Sequence, residues 1–365
     1  ETLDQNRFQY WQAGRGGRRL GLAASLRHVY HLCGSPTSKF FYDLSMVYAK
    51  NVVTPPGWER TFLAVDPQGN WHEGTTVESL GESYQAIEIL PRLAKSSLIV
   101  PHIFCEAGMT VYRSLLQDVL GFAMVGSSGS VMGLAADKIR TREVVARSGV
   151  HIARGELAAY KKNTSLSVPL VIKPNNQDNS LGLSLVENAD QLDQAIKIAR
   201  QYDPCVLIEE FIPGRELRLA VIEDGNELFI PSVIEYSVES SHPIRKTEDK
   251  LLLGPDGNPQ SQADNSRVKV TIPAALSEAV RNELFSQARI AHRAIGARDF
   301  SLFDFRIDQR SGKPVFLEAG LFWSFSPESM ISKMLEADGI CVPDFVGKVW
   351  SRALSRKNYR TTSGC

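Results

Sequence analysis

The chain has 365 residues, a length typical of two or three packed domains rather than one core. Its 41 basic and 41 acidic residues cancel, which argues against a nucleic-acid partner or an anionic membrane surface. No run of 18 apolar residues is present, so no membrane span is predicted. The five cysteines lack metal-type spacing, which predicts reduced thiols and a cytoplasmic location.

The first part of the chain predicts a short extension followed by an α/β domain. Residues 1–25 contain GRGGRR and GLAASL without a strand pattern, which favours a flexible extension over a transit-peptide remnant. Over residues 26–134, short apolar runs alternate with helical patterns. This alternation predicts a parallel sheet with helices on both faces. The expected strands lie in RHVYHLCGS, ERTFLAVD, SSLIVPHIF and GFAMVGSS.

A change of pattern predicts two further domains and a short tail. Residues 135–212 begin with a helix over 135–148 and continue with the strands PLVIKP, LSLVEN and CVLIEEFI. Residues 213–357 begin with a hairpin that turns at Gly-Asn and has the pattern of antiparallel strands. Within them, residues 238–268 are polar, as in functional or disordered loops. Residues 358–365 are expected to form a tail.

The last predicted hairpin carries two carboxylates whose spacing places them opposite each other. The strands FSLFDFRID and PVFLEAG flank the turn QRSGK, and a hairpin centred near Ser311 places Asp304 opposite Glu318. Period-two alternation puts Asp304 and Arg306 on one face of the first strand and Phe303 and Phe305 on the other. Facing carboxylates repel unless a cation lies between them, and Mg²⁺ accepts one or two carboxylates together with substrate phosphates. A solvated pair neutralised by Arg306 or a lysine is an equal alternative, because the register is inferred from the turn alone.

A second feature is the loop that follows the buried strand ending at Lys173. The loop NNQDNSLG closes at Gly182 and can offer backbone N–H groups and the Ser180 hydroxyl to phosphates. Without further support, a plain surface loop is the stronger interpretation. Three other charged residues can be interpreted either as nucleotide ligands or as solvated side chains: Lys138, Glu209 and Glu210.

These features together resemble the ATP-grasp fold, specifically the D-alanine–D-alanine ligase superfamily. The resemblance covers residues 27–350 and rests on GSSGSVMGLAADK, VIKPNNQDNSLG, LIEEFIPGRELR, DFSLFDFRID and FLEAG. It implies a three-domain α/β protein, α+β in its C-terminal part, that acts as an ATP-dependent carbon–nitrogen ligase with two Mg²⁺ ions. D-alanine ligases are commonly dimers, so the resemblance also allows a homodimer.

The resemblance assigns roles to individual residues. It implies an ATP site formed by Lys138, Lys173, Asn179, Ser180, Glu209, Glu210, Ile212, Glu216 and Lys250. Within that site, Glu209 and the Ile212 backbone are expected on adenine, Glu216 on the ribose, and Lys250 on a lid over the γ-phosphate. The implied metal ligands are Asp304 and Glu318. The implied catalytic residues are Ser180, Lys250 and Ser329, and the expected substrate pocket contains His102, Trp323 and Ser329.

The chain departs from the D-alanine ligase pattern at three places, which argues against a dipeptide-forming role. Gly320 stands where D-alanine ligases carry a metal-binding asparagine, and Leu302 stands where they carry an arginine. The segment TSKFFYDLS lacks the acidic residue that holds the ammonium of the first substrate. Five segments resemble the ligase of mycosporine-like amino acid biosynthesis more closely than the D-alanine ligases. They are HLCGS, FFYDLS, IFCEAGMT, DNSLG and FLEAGLFWSF.

Members of that subfamily use ATP to condense mycosporine-glycine with serine, threonine or glycine, and the product is an imine. The enaminone ring has no ammonium, and a flat conjugated ring suits a pocket edged by Phe322, Trp323 and Phe325. Core packing is the plain alternative for these aromatic residues. Two other functions remain open, namely a D-alanine-ligase-like peptide or amino-acid ligase and a nucleotide-binding relative without turnover.

Overall fold

The computed structural model describes residues 26–158, 164–239, 241–255, 259–262 and 268–362. The expected flexible extension over residues 1–25 lies outside the described residues. Among the described helices, none combines the length and apolar character that crossing a membrane requires.

The N-terminal sheet is mixed rather than purely parallel. Its strands are β1 (Arg27–Gly34), β2 (Trp58–Val65), β3 (Trp71–Gly74), β4 (Leu80–Tyr84), β5 (Leu98–Pro101) and β6 (Ala123–Met124). They lie in the order β4-β3-β2-β1-β5-β6. The four predicted strands β1, β2, β5 and β6 pair in parallel, whereas β3 and β4 form an antiparallel edge. This edge was not predicted, because β4 is mostly exposed and has no apolar alternation.

Helices connect these strands. They are α1 (Lys39–Lys50), the single turn α2 (Ala86–Ile89) and two π-helical segments, Gly108–Tyr112 and Leu115–Val119. Helix α1 begins at Ser38, whose side chain accepts a hydrogen bond from the Phe41 N–H. Its C-terminal half carries Tyr48, whose ring contacts Phe104 and Phe322.

The central sheet is small and antiparallel. Its elements are α3 (Gly129–Ala136), α4 (Lys138–Arg147), β7 (Gly155–Leu157), β8 (Leu170–Pro174), β9 (Ser184–Val186), α5 (Leu192–Arg200) and β10 (Val206–Glu210). The strand order is β7-β10-β8-β9. The three predicted strands are present, and the predicted helix over 135–148 instead begins at Lys138, where Asp137 caps it. Helix α5 packs its apolar side on β8 and β10.

The C-terminal sheet is antiparallel, as the hairpin patterns predicted. Its strands are β11 (Gly214–Asp224), β12 (Glu227–Phe229), β13 (Ile234–Ser237), β16 (Lys269–Thr271), β17 (Phe300–Asp308) and β18 (Pro314–Gly320). The order is β16-β13-β11-β17-β18, with β12 beside β11. The accompanying helices are α6 (Glu278–Ile295), α7 (Met330–Ala337) and α8 (Val342–Thr362). Helix α8 thus continues past residue 357, where a tail was expected to begin.

The polar segment 238–268 has structure of its own where it is described. It contains a short 3₁₀ turn, Thr247–Asp249, and the strands β14 (Leu251–Leu253) and β15 (Pro259–Gln262), which pair with each other. We call residues 241–255 of this segment the lid, after the role that the resemblance implies for it.

The two faces of the C-terminal sheet differ. One face packs Phe303, Phe305 and Phe316 against α6 and forms a continuous core. On the other face, Phe300, Leu302 and Ala220 join a core shared with the N-terminal sheet and α8. Further along the same face the side chains become charged. This charged half of the sheet faces the central sheet and forms the floor of a cleft.

Candidate active site

The register of the last hairpin is the one predicted at its two carboxylates. Asp304 pairs with Glu318 across β17 and β18. A β-bulge between Asp304 and Phe305 then shifts the pairing by one residue toward the turn. The predicted faces are also confirmed, since Phe303 and Phe305 lie in the core while Asp304 and Arg306 line the cleft.

Pairing across β11, β17 and β18 arranges the cleft floor in three rows. The outer row contains Glu216 and Arg306, the central row contains Arg218, Asp304 and Glu318, and the apolar row contains Ala220, Leu302 and Gly320. Successive rows are two residues apart along each strand, or about 6.5 Å. This face of the sheet therefore changes from charged to apolar within about 6.5 Å, and Ala220 and Leu302 of the apolar row belong to the core shared with the N-terminal sheet.

One cleft brings together most of the residues that the resemblance singled out. It is lined by Lys138, Lys173, Ser180, Glu209, Glu210, Ile212, Glu216, Lys250, Asp304 and Glu318. Asn179 lies beside Ser180 in the loop over the cleft, and both residues have a positive φ, 53° and 60°. Such a conformation is uncommon outside glycine and holds this loop in a tight turn.

The roof of the cleft is a buried charge cluster on the central sheet. The Glu209 carboxylate contacts both Lys173 and Arg142, and all three side chains are almost fully buried. Arg142 was not predicted as a site residue. Lys138 donates hydrogen bonds from Nζ to the carbonyls of Asn175 and Gln177, so it fixes the start of the loop.

Burial lowers the pKa of Lys173 to about 7, with the charge of Glu318 opposing and that of Lys138 adding to the shift. This lowered pKa makes the amine easier to deprotonate near pH 8 than a surface lysine, and a polyphosphate beside it would raise its pKa. We expect ATP binding at pH 8 to take up to about one proton. Calorimetric titrations in buffers of different ionisation enthalpy measure this uptake. Lys173→Arg stays charged and should show almost none, so equal uptake in both proteins would contradict the assignment.

The outer row is neutralised by two arginines. Glu216 accepts a hydrogen bond from Arg245 Nε at 2.5 Å and one from Arg306 Nη2 at 2.8 Å. Arg306 also donates to the Ile212 carbonyl at 3.0 Å. Arg245 belongs to the lid, so its contact with Glu216 attaches the lid to the cleft floor. Arg306 thus neutralises Glu216 rather than the carboxylate pair in the central row.

The central row combines two carboxylates with a guanidinium. Arg218 donates from Nε and Nη2 to the two Asp304 oxygens at 2.5 and 2.6 Å, and Arg245 Nη2 lies 3.6 Å from the same carboxylate. Burial opposes ionisation of Asp304, but the adjacent Arg218 lowers its pKa to about 2. Burial lowers the pKa of Lys250, which lies near this row at the start of β14.

The two carboxylates of the central row fit a Mg²⁺ site. They are directly opposite each other, and Glu318 makes no hydrogen bond or ion pair within the described part of the chain. Carboxylate oxygens are the ligands that Mg²⁺ prefers, with substrate phosphates and water completing its shell. Among the described residues, no third acidic, histidine or cysteine ligand joins them. This is consistent with glycine at position 320.

Trp323 does not lie in the cleft. It is 2% exposed, its ring is stacked on Phe325 at 4.5 Å, and it belongs to the core. Its Nε1 donates to the hydroxyls of Ser329 and Ser332, which satisfies the buried indole. The interpretation of Trp323 as a pocket residue is therefore corrected to core packing, the alternative left open by the sequence.

The other two predicted pocket residues are also buried. Ser329 caps α7 by accepting a hydrogen bond from the Ser332 N–H, and its own hydroxyl donates to Ser332 Oγ at 2.8 Å. His102 is fully buried, and its ring is hydrogen-bonded to His31 at 3.0 Å. Burial lowers the pKa of His102 to about 3, so this histidine pair is neutral.

Three half-buried aromatic residues lie together instead. Tyr48, Phe104 and Phe322 have ring centroids 4.8, 5.6 and 4.0 Å apart, and we call them the aromatic trio. Burial raises the pKa of Tyr48, the charge of Asp178 adds to this, and the charge of Arg218 opposes it. Tyr48 therefore lies within electrostatic range of Asp178 in the loop and of Arg218 in the central row. Only Phe322 was predicted, because the other two come from distant parts of the chain.

The central and C-terminal antiparallel sheets enclose a cleft lined with lysines and carboxylates, and this arrangement defines an ATP-grasp enzyme. Residues 142–350, more than half of the chain, match the family described as "D-ala D-ala ligase C-terminus". The chain therefore belongs to this family of ATP-dependent ligases.

Known relatives and solved structures agree with this assignment. D-alanine–D-alanine ligase A of Bradyrhizobium diazoefficiens is 28% identical over 70% of this chain and 68% of its own length. The D-alanine–D-alanine ligase of Chlorobium phaeovibrioides is 23% identical over 86% and 93%. The Coxiella burnetii D-alanine–D-alanine ligase structure shares the fold with a TM-score of 0.70 at 17% identity, covering 93% of this chain and 97% of that one. A D-alanine–D-serine ligase structure from Enterococcus faecalis gives 0.68 at 19% identity, with 90% and 99% covered.

Proposed function

We propose that this protein joins an amino acid to mycosporine-glycine in an ATP-dependent reaction that yields an imine, ADP and phosphate. The observation that carries the proposal is the acceptor end of the cleft. Beyond the central row, the sheet continues with Leu302 and Gly320, which are partly exposed, and Phe322 of the aromatic trio follows Gly320 by two residues. A flat conjugated ring can pack there, because aromatic faces favour stacked or edge contacts.

The local charges support an acceptor without an ammonium group. Asp43 is the acidic residue of the segment where D-alanine ligases hold that ammonium, and here it forms an ion pair with Lys39 one turn earlier on α1. Leu302 and Gly320 are direct partners in the hairpin, so both departures from the D-alanine ligases fall at one place. A side chain built at Gly320 would meet only Leu302, at about 3.8–4.0 Å. The space beside Gly320 is therefore not filled by other side chains of the described residues, and the acceptor ring is proposed to lie there.

The nucleotide is proposed to lie along the charged half of the cleft. Lys138, Lys173 and Lys250 would bind its phosphates under the loop that carries Asn179 and Ser180. Glu209, Glu210 and the Ile212 backbone would face adenine, and Glu216 would face the ribose. Asp304 and Glu318 would hold Mg²⁺, with two ions proposed, and bound Mg²⁺ would neutralise charge on the phosphate oxygens. The homodimer suggested by the resemblance stays a prediction.

The proposed chemistry balances as two displacements. The enaminone oxygen of the acceptor attacks the γ-phosphorus, the bond to the β–γ bridging oxygen breaks, and ADP leaves with that electron pair. The amino acid nitrogen then forms a bond to the activated carbon. The carbon–oxygen bond breaks, so the acceptor oxygen leaves within phosphate while the nitrogen loses its protons to solvent. The lysines would act by positioning the phosphates and stabilising their charge.

ADP release with defined substrates tests the proposal. ATP should be consumed when mycosporine-glycine and serine are both present, and D-alanine alone should give no more than the background rate. The product should absorb at a longer ultraviolet wavelength than mycosporine-glycine, because the imine extends the conjugated nitrogen system. If D-alanine alone drives ADP release as fast as mycosporine-glycine with serine, the protein is a D-alanine-type ligase. Nucleotide binding without turnover on any substrate would identify a non-catalytic relative.

A further inference from the structure

Two arginines from different elements share the same partners beside the carboxylate pair. Arg218 on β11 and Arg245 on the lid both lie against the Tyr236 ring, with their guanidinium carbons 5.7 and 3.6 Å from its centroid. Both also approach Asp304, at 2.5 and 3.6 Å. Their side chains are 18% and 6% exposed, so solvent screens them weakly. Two like charges this close require an anion, and Asp304 supplies it.

The balance between these charges changes once Asp304 holds a cation. Arg245 keeps a second carboxylate, Glu216, at 2.5 Å. Arg218 has no ion pair other than the one with Asp304 within the described residues. A metal ion on Asp304 would therefore leave the Arg218 guanidinium beside additional positive charge in a weakly solvated place. That arrangement is strongly unfavourable unless a ligand brings an anion to it.

The place of Arg218 in the rows indicates which anion this is. The central row lies between the outer row, where the ribose is proposed, and the apolar row, where the acceptor is proposed. A guanidinium offers two parallel N–H donors that match the oxygens of a phosphoryl group. We propose that Arg218, supported by Arg245, binds the phosphoryl group as it passes from nucleotide to acceptor. This rests on the proposed ATP-dependent ligation and adds to it an oxyanion site that no local motif indicated.

Arg218 would act during the transfer of the phosphoryl group. While the γ-phosphorus exchanges its bond to the bridging oxygen for a bond to the acceptor oxygen, Arg218 would donate to its equatorial oxygens. Nucleotide binding itself would depend mainly on Lys138, Lys173 and Glu216. Removing Arg218 should therefore weaken the binding of a transferred-phosphoryl mimic and leave ADP binding almost unchanged.

Orthovanadate added to the enzyme with MgADP supplies that mimic, and calorimetry or fluorescence measures ADP binding without turnover. In the wild type we expect vanadate to tighten ADP binding by about tenfold or more, the scale of one charge-assisted pair. Arg218→Met should reduce this enhancement to less than about threefold, while ADP affinity without vanadate changes by less than about threefold. Arg218→Lys should restore part of the enhancement, because lysine returns the positive charge but not the two parallel N–H donors of the guanidinium.

Arg215→Met is the matched control. Arg215 lies on the same strand, but its side chain is held by Glu235 on the opposite face of the sheet. It should leave the vanadate enhancement intact. Full enhancement in Arg218→Met, equal loss in Arg215→Met, or no enhancement in the wild type would each overturn the inference while leaving the ligation proposal standing. Failure of the wild type to bind MgADP would overturn both.

Discussion

Replacing Glu318 with glutamine is expected to lower the rate of ADP release by about 10²–10³-fold, with less than about a threefold change in ATP affinity. Glu318 is the carboxylate of the central row that has no ion pair or hydrogen bond within the described residues, so it is free to bind Mg²⁺. Glutamine keeps the size of the side chain but removes the charge, and its amide oxygen is a weaker ligand. The lysines proposed to contact the phosphates remain.

Steady-state rates and equilibrium ATP binding separate the two effects. Glu336→Gln, an exposed position on α7, is the control and should behave as the wild type. A Glu318→Gln enzyme that turns over within about threefold of the wild type would show that Glu318 is not a metal ligand. A large loss of ATP affinity with unchanged turnover at saturation would place Glu318 on the nucleotide instead.

Replacing Glu216 with glutamine is expected to lower the free energy of unfolding by about 3–5 kcal/mol. The Glu216 carboxylate is 6% exposed and lies between Arg245 and Arg306. Without its charge, two buried guanidinium groups lose their shared anion, and the lid loses its attachment to the cleft floor. Chemical denaturation of the nucleotide-free protein measures the change.

Glu235→Gln gives the matched comparison for this prediction. Glu235 also accepts two hydrogen bonds from an arginine of β11, but that arginine, Arg215, is 40% exposed at its side chain. Solvent screens such a pair, so its removal should cost less than about 1 kcal/mol. Equal losses in the two variants would show that burial of Glu216 adds nothing to the interaction.

The pH dependence gives a second check on Glu216. Burial opposes its ionisation, but Arg245 and Arg306 lower its pKa below that of a free glutamate. A depressed carboxyl pKa stabilises the folded state above the unfolded pKa of about 4.3, and this contribution disappears as the pH falls through the folded value. The stability difference between wild type and Glu216→Gln should therefore shrink below about pH 4.

Several features followed from the sequence by itself. Alternating apolar residues and a short turn placed Asp304 opposite Glu318, because the turn sets the centre of the hairpin and a buried face strongly favours one register. The same periodicity separated Phe303 and Phe305 from Asp304 and Arg306. The strands that contain Lys173 and Glu209 were equally clear, since apolar runs bounded by polar turns are local signals. The order of these motifs sufficed to identify the ligase superfamily.

Other features were decided only by the tertiary structure. Arg142 reaches the site from a helix, Arg218 from a strand and Arg245 from the lid. The sequence around a charged residue does not indicate which carboxylate its side chain will contact. Period-two alternation does place Arg218 on the face of Glu216, but its partner, Asp304, is 86 residues away. Trp323 illustrates the reverse case. It stands next to Phe322 in the chain, yet only packing determines that Trp323 is buried in the core while Phe322 joins residues from α1 and the loop after β5. Contacts between distant segments depend on how whole sheets and helices pack together, and no local pattern specifies that packing.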